Sequence, residues 1–168
     1  MSLIREKIFE PFVDTTPKKD AILQTYMLSH GTLMCRDMAN SRKFYEEFLG
    51  FECAQHAQRA MCIRHGLKLH IVVVQVGDQV KPNSILHHWG LEAPTQEYVD
   101  DAYKMCLEYK DKYGILEIKP PQMSHGSYGF YFEDLDHNWW EILHHAEFFH
   151  DDAFDFGDRF PQLRTPAS

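Results

Sequence analysis

The chain has 168 residues, the usual length of a single domain. Its 25 acidic residues outweigh 17 basic ones, and the resulting formal charge of −8 excludes a surface built to grip phosphate backbones, which needs clustered Lys and Arg. Hydrophobic residues make up 44%, enough for a packed core, yet no apolar run reaches the roughly 18 residues that a bilayer span requires.

Residues 1–26 read as an N-terminal extension. Pro11 and Pro17 interrupt it, and a short helix is expected near Ile4 to Phe12. Arg5, Glu6, Lys7 and Glu10 are out of place in a signal peptide, so a cytoplasmic location is expected. The four cysteines, Cys35, Cys53, Cys62 and Cys106, then read as reduced core thiols.

Tyr26 to Cys35 reads as a strand. In Arg42 to Leu49 the residues Phe44, Phe48 and Leu49 recur at helical spacing, and Gly50 ends the helix. Phe51 to Gln58, Arg59 to Arg64 and Lys68 to Val76 are β-like, the last carrying the β-branched run Val72-Val73-Val74. Gly77 to Asn83 is a polar linker. The order then repeats. Ser84 to Ala93 is a strand, and Thr95 caps a helix running to about Lys112 with Tyr98, Ala102, Met105 and Tyr109 on its apolar face. Gly114 to Lys119, Ser127 to Phe132 and Trp139 to His144 complete the set. The pattern implies an α+β fold from a duplication of about 58 residues: two βαβββ modules, 27–77 and 84–145, in one domain over 27–145. The acidic, aromatic tail 146–168, with five Phe, is expected to pack over the domain or a partner subunit.

His30 and His88 open the two modules at equivalent places, each seven residues before the residue that starts the turn into the helix. Under pseudo-twofold symmetry two such side chains can meet near the axis. Glu141 lies in the apolar strand Trp139-Trp-Glu-Ile-Leu, where a carboxylate needs a partner. Neutral imidazole is the commonest metal ligand, and two His with one carboxylate form a facial triad with open positions. A metal held by His30, His88 and Glu141 is therefore expected.

Three stretches resemble one known family: Leu28-Ser-His30, Ser41-Arg-Lys-Phe-Tyr-Glu-Glu-Phe-Leu-Gly50-Phe, and Phe132-Glu-Asp-Leu-Asp-His-Asn-Trp-Trp-Glu141. They are similar to the vicinal oxygen chelate superfamily (glyoxalases, bleomycin resistance proteins, dioxygenases). The resemblance implies paired modules forming an open, cup-shaped mixed sheet around the metal. The chain looks most like single-domain type I extradiol dioxygenases, which implies Fe(II), a small aromatic diol substrate with O₂, and a homo-oligomer. In Lys68-Leu-His70-Ile-Val-Val-Val the resemblance makes His70 the acid–base residue. It makes Tyr131, ten residues before Glu141, and His125, in His125-Gly126, the groups that hold substrate oxygens; His87 is a neighbour of the ligand His88. The alternative within the superfamily is a Mn(II)-dependent fosfomycin- or epoxide-modifying or glyoxalase-like enzyme, and Thr32, two residues after His30, fits it. The family's usual Pro and Gly are absent from the turn Asp134-Leu-Asp-His-Asn138, which asks His137 to adopt positive φ.

Overall fold

The computed structural model describes residues 22–23, 28–66, 69–124 and 126–145. The expectations placed on Ile4 to Phe12, on His125 and on the tail from residue 146 lie outside the described residues. Met27–Ala146 forms one compact unit.

The first module is a strand, a helix and three strands: β1 (His30–Cys35), α1 (Met38–Lys43), β2 (Glu52–Ala57), β3 (Ala60–Arg64) and β4 (His70–Gln75). Asp37 caps α1 by accepting from the Asn40 amide. The helix then widens into a π-turn over Phe44–Phe48, with Leu49 N–H donating five residues back to the Phe44 carbonyl. Gly50, at φ 71°, closes it, and the next amide, Phe51, returns to the Tyr45 carbonyl. The sheet order is β1-β4-β3-β2, with β1 and β4 parallel and the rest antiparallel.

The second module repeats this with β5 (His88–Glu92), α2 (Gln96–Glu108), α3 (Lys110–Tyr113), β6 (Glu117–Ile118), β7 (Gln122–Ser124), β8 (Ser127–Glu133) and β9 (Trp139–His145). Its sheet order is β5-β9-β8-β6, with β7 also on β8. Together β6 and β7 occupy the edge that β2 fills in the first module. Pro120 and Pro121 stand between them, and neither has an N–H to give the ladder.

Period-2 alternation sends one face of each sheet into a common core. Leu33, Cys35, Met61, Ile63, Ile71 and Val73 from the first sheet join Phe130, Phe132 and Trp140 from the second, with Phe44, Tyr45, Val99 and Cys106 from the helical segments. Of the expected apolar face of α2, Ala102 and Tyr109 pack against the core, but Tyr98 and Met105 are exposed and Val99 and Cys106 are buried instead. The long helix also breaks, at Tyr109, where ψ rises to 9°. The cysteine expectation holds for Cys35 and Cys106 but not for Cys53 and Cys62, which are half-buried; all four are free thiols.

Two features tie the modules together. An idealised Cβ on Gly31 would fall 2.2 Å from Cη2 of Trp89, so glycine alone lets the indole of β5 lie on β1. The second is a polar network at the β8–β9 turn. Asp134, fully buried, accepts from the Trp140 indole at 3.0 Å, the Tyr45 hydroxyl at 3.4 Å, and the Asp136 and Asn138 amides. Asp136 accepts from the Arg36 amide at 2.7 Å and from the Ser41 hydroxyl. Within the turn His137 takes φ 64°, as expected, a conformation that His tolerates better than most non-glycine residues.

Candidate metal centre

The faces turned away from the core carry the chemistry. On the second sheet, pairing sets His88 beside Trp139, Gly90 beside Glu141, and Tyr131 opposite Glu141. These neighbours project to one side. His88 Nε2 stands 3.3 Å from Glu141 Oε2, and the rings of His88 and Tyr131 meet edge to face with centroids 5.0 Å apart. At Gly90 an added Cβ would make only ordinary contacts, 3.9 Å from Glu141 Oε2 and 3.4 Å from the Leu143 side chain.

The other nitrogen of His88 decides what Nε2 can do. Nδ1 lies 2.8 Å from the Ile85 carbonyl, which only accepts, so Nδ1 carries the hydrogen. In the neutral ring Nε2 then turns a lone pair toward a carboxylate oxygen. Two acceptors facing each other at 3.3 Å need a cation or a proton between them. An imidazole whose second N–H is held by a backbone carbonyl is also the usual posture of a metal-ligating His. The donor set of His88 and Glu141 therefore fits a divalent metal. Tyr131 secures the carboxylate from the neighbouring strand. Burial, and then its hydrogen bond to Glu141, push the phenol up to about 12, so it stays a donor.

On the first sheet, β1 and β4 pair His30 with His70. The two imidazoles stack with centroids 5.5 Å apart and planes 17° from parallel. His30 Nδ1 lies 2.8 Å from the Ser29 hydroxyl. The structure thus gathers the sequence candidates into two groups, His88–Glu141–Tyr131 and His30–His70. Among the described residues no three His, Cys, Asp or Glu side chains stand close enough together to hold a metal ion. His30 and His88 are nevertheless the residues immediately before the Gly31–Trp89 contact on their strands. His87 is exposed in the turn before β5, its amide bonded to the Ser84 carbonyl at 2.8 Å.

Beside His70 the first sheet opens a cavity of about 290 Å³, lined also by Ala54, Cys62, Glu52 and Arg64. Arg64 gives both Nε and Nη2 to one Glu52 oxygen, at 3.0 and 2.6 Å. Cys53 and Ile63 complete the described wall of this cavity. The sequence reading also passed over the contact between His56 Nδ1 and Cys62 Sγ, 3.4 Å apart. No motif marks it, because the two meet only across a hairpin.

The family described as the Glyoxalase/Bleomycin resistance protein/Dioxygenase superfamily matches residues 27–142. The chain belongs to this superfamily. No curated protein matches the chain. Among solved structures, a possible glyoxalase from Bacillus cereus is 21% identical with a TM-score of 0.58, covering 71% of this chain and 99% of that one. A lactoylglutathione lyase from Agrobacterium tumefaciens is 15% identical with a TM-score of 0.55, covering 72% and 95%. A mutant of the fosfomycin resistance protein FosX from Listeria monocytogenes, complexed with Mn(II) and a dihydroxypropylphosphonic acid, is 20% identical with a TM-score of 0.56, covering 74% and 93%. At these identities the likeness is one of fold. It matches the α+β superfamily architecture of two mixed, open sheets. Among the described residues no helix is long and apolar enough to cross a membrane.

Proposed function

We propose that this superfamily member is a metal-dependent dioxygenase that opens a catechol-type ring beside its diol, with Fe(II) held by His30, His88 and Glu141. One observation carries the choice: His70 stacks directly on His30, so a second imidazole stands against a proposed ligand without being one. Ring cleavage needs such a group, because the substrate's second hydroxyl must lose a proton and later regain one. When bound, the metal would gather both substrate oxygens and O₂ and lower the pKa of the bound hydroxyl. The protein's share is positional and protonic. The Ile85 carbonyl fixes the tautomer of His88, and Tyr131 fixes the Glu141 carboxylate. His70 takes and returns the proton, and His125 holds a substrate oxygen. Tyr131 reaches the substrate only by giving up part of its bond to Glu141.

That bond favours a second reading. A phenol held on the carboxylate, with Thr32 one pleat beyond His30 on the same face of β1, suits Mn(II) Lewis-acid chemistry on an epoxide or a glyoxalase-like substrate.

Purification without oxygen, loading with Fe(II) and assay against a panel of catechols separates the two. Dioxygenase chemistry yields a yellow ring-opened product under air. His70→Phe keeps metal content and catechol binding and lowers turnover by roughly 10²-fold or more, since proton transfer acts in the transition state. Turnover of an epoxide with Mn(II) without oxygen, indifferent to His70→Phe, refutes the first reading.

A further inference from the structure

Cys62 and His56 meet because a β-bulge aims one at the other. Along the β2–β3 hairpin Ala54 pairs with Cys62, Gln55 with Met61, and Ala57 with Ala60, so His56 has no residue opposite it. A bulge of this kind re-aims the extra side chain. Here it sets the imidazole against the thiol, Nδ1 to Sγ 3.4 Å. Cys62 also lines the cavity beside His70 and is half-buried, while His56 is exposed. A nucleophile, a base in reach of its proton, and a space for a reagent are therefore together.

We propose that Cys62 and His56 form a thiol–imidazole dyad that takes a small α,β-unsaturated carbonyl as a covalent adduct in this cavity. The imidazole accepts the thiol proton, and the sulfur adds to the β-carbon as the carbon–carbon π pair shifts toward the carbonyl. The same proton then returns from His56 to the α-carbon. One S–C bond and one C–H bond replace the S–H bond and the π bond, and no further reactant is needed. The other charged and titratable side chains lining the cavity are Arg64 and Glu52, paired with each other, His70 and Cys53.

The other three cysteines are built-in controls. Burial pushes Cys35 and Cys53 up to about 11 and Cys106 up to about 12, and among the described residues none has an imidazole at its sulfur. A thiol in that state is a poor nucleophile at neutral pH.

The test is a brief pulse of N-ethylmaleimide on the intact chain, followed by quenching, digestion and peptide mass mapping. Cys62 is expected to be labelled first, at least tenfold ahead of Cys53. His56→Asn, which keeps the side chain's size and removes the base, should slow labelling of Cys62 about tenfold and leave Cys53 unchanged. Should that variant unfold, shown by all four cysteines reacting together, Cys62→Ala decides: early labelling of the folded protein should nearly vanish. Equal rates at Cys53 and Cys62, a folded His56→Asn protein that reacts as before, or persistent early labelling of Cys62→Ala would each overturn the proposal. None of these readouts involves a metal or a catechol, so they stand apart from the dioxygenase reading.

Discussion

Asp134 offers the most direct check on how the β8–β9 turn is held. Its carboxylate is fully buried, and burial pushes it up from 3.8 to about 6 in spite of hydrogen bonds from Trp140 and Asn138 that favour the charge. The neutral form is thus favoured by folding. Between pH 3.8 and 6 the folded protein holds a proton that the unfolded chain has released. Stability from this group is therefore present at low pH and lost as pH rises through that window, the reverse of an ordinary paired carboxylate. The shift of about two pH units corresponds to roughly 3 kcal/mol, at 1.36 kcal/mol per unit. Asp134→Asn removes the titration and keeps an acceptor for the Asp136 and Asn138 amides. Its new amide hydrogens, however, face the Trp140 N–H, a mismatch costing about 1–3 kcal/mol at acid pH. Urea unfolding of both proteins from pH 3.5 to 7.5 measures the difference. The wild type's advantage over the variant should shrink by roughly 3 kcal/mol across the window. An advantage that stays constant, or grows with pH, would refute the claim that burial dominates at this carboxylate.

The module junction predicts that Gly31→Ala destabilises the protein by about 1–3 kcal/mol, because the new methyl meets the Trp89 indole at 2.2 Å; Gly31→Ala with Trp89→Leu should recover most of that loss in chemical denaturation. The facing acceptors at His88 and Glu141 predict that Mn(II) at 100 times its dissociation constant stabilises the wild type by about 2.7 kcal/mol in thermal scans. Glu141→Gln should abolish most of that gain without destabilising the metal-free protein, since the amide can donate to His88 Nε2; an unchanged metal response would remove Glu141 as a ligand.

What the sequence made legible was periodicity and symmetry. Alternation marked the strands, and the equivalent His30 and His88 marked the duplication, because both are properties of spacing. Contacts between strands were less accessible. Tyr131 was legible only through the family resemblance, and its bond to the Glu141 carboxylate follows from the β8–β9 register. The face of α2 was misjudged at Tyr98 and Met105, which look as suited to the core as their buried neighbours Val99 and Cys106. Composition could not choose between adjacent stripes. The His56–Cys62 pair depends on a bulge, which adds a residue to one strand without any marker such as Gly. Gly31 also carried a signal: glycine inside a strand points to a close approach, here by Trp89.

Gly31 and Gly90 also show how one duplication yields a site with unequal halves. Position 31 of the first module corresponds to 89 of the second. The pair is Gly and Trp, so the large residue crosses the pseudo-axis into the space left by the small one. The next residue of the second module is Gly90, which stands beside Glu141. Its counterpart in the first module is Thr32, paired with Val72 where the second module pairs Gly90 with Glu141. A carboxylate therefore enters from the second module alone, and the first module answers with an imidazole, His70, beside His30. Symmetry brings the two histidines to equivalent places, and its breaking gives His88 a carboxylate for a neighbour and His30 an imidazole.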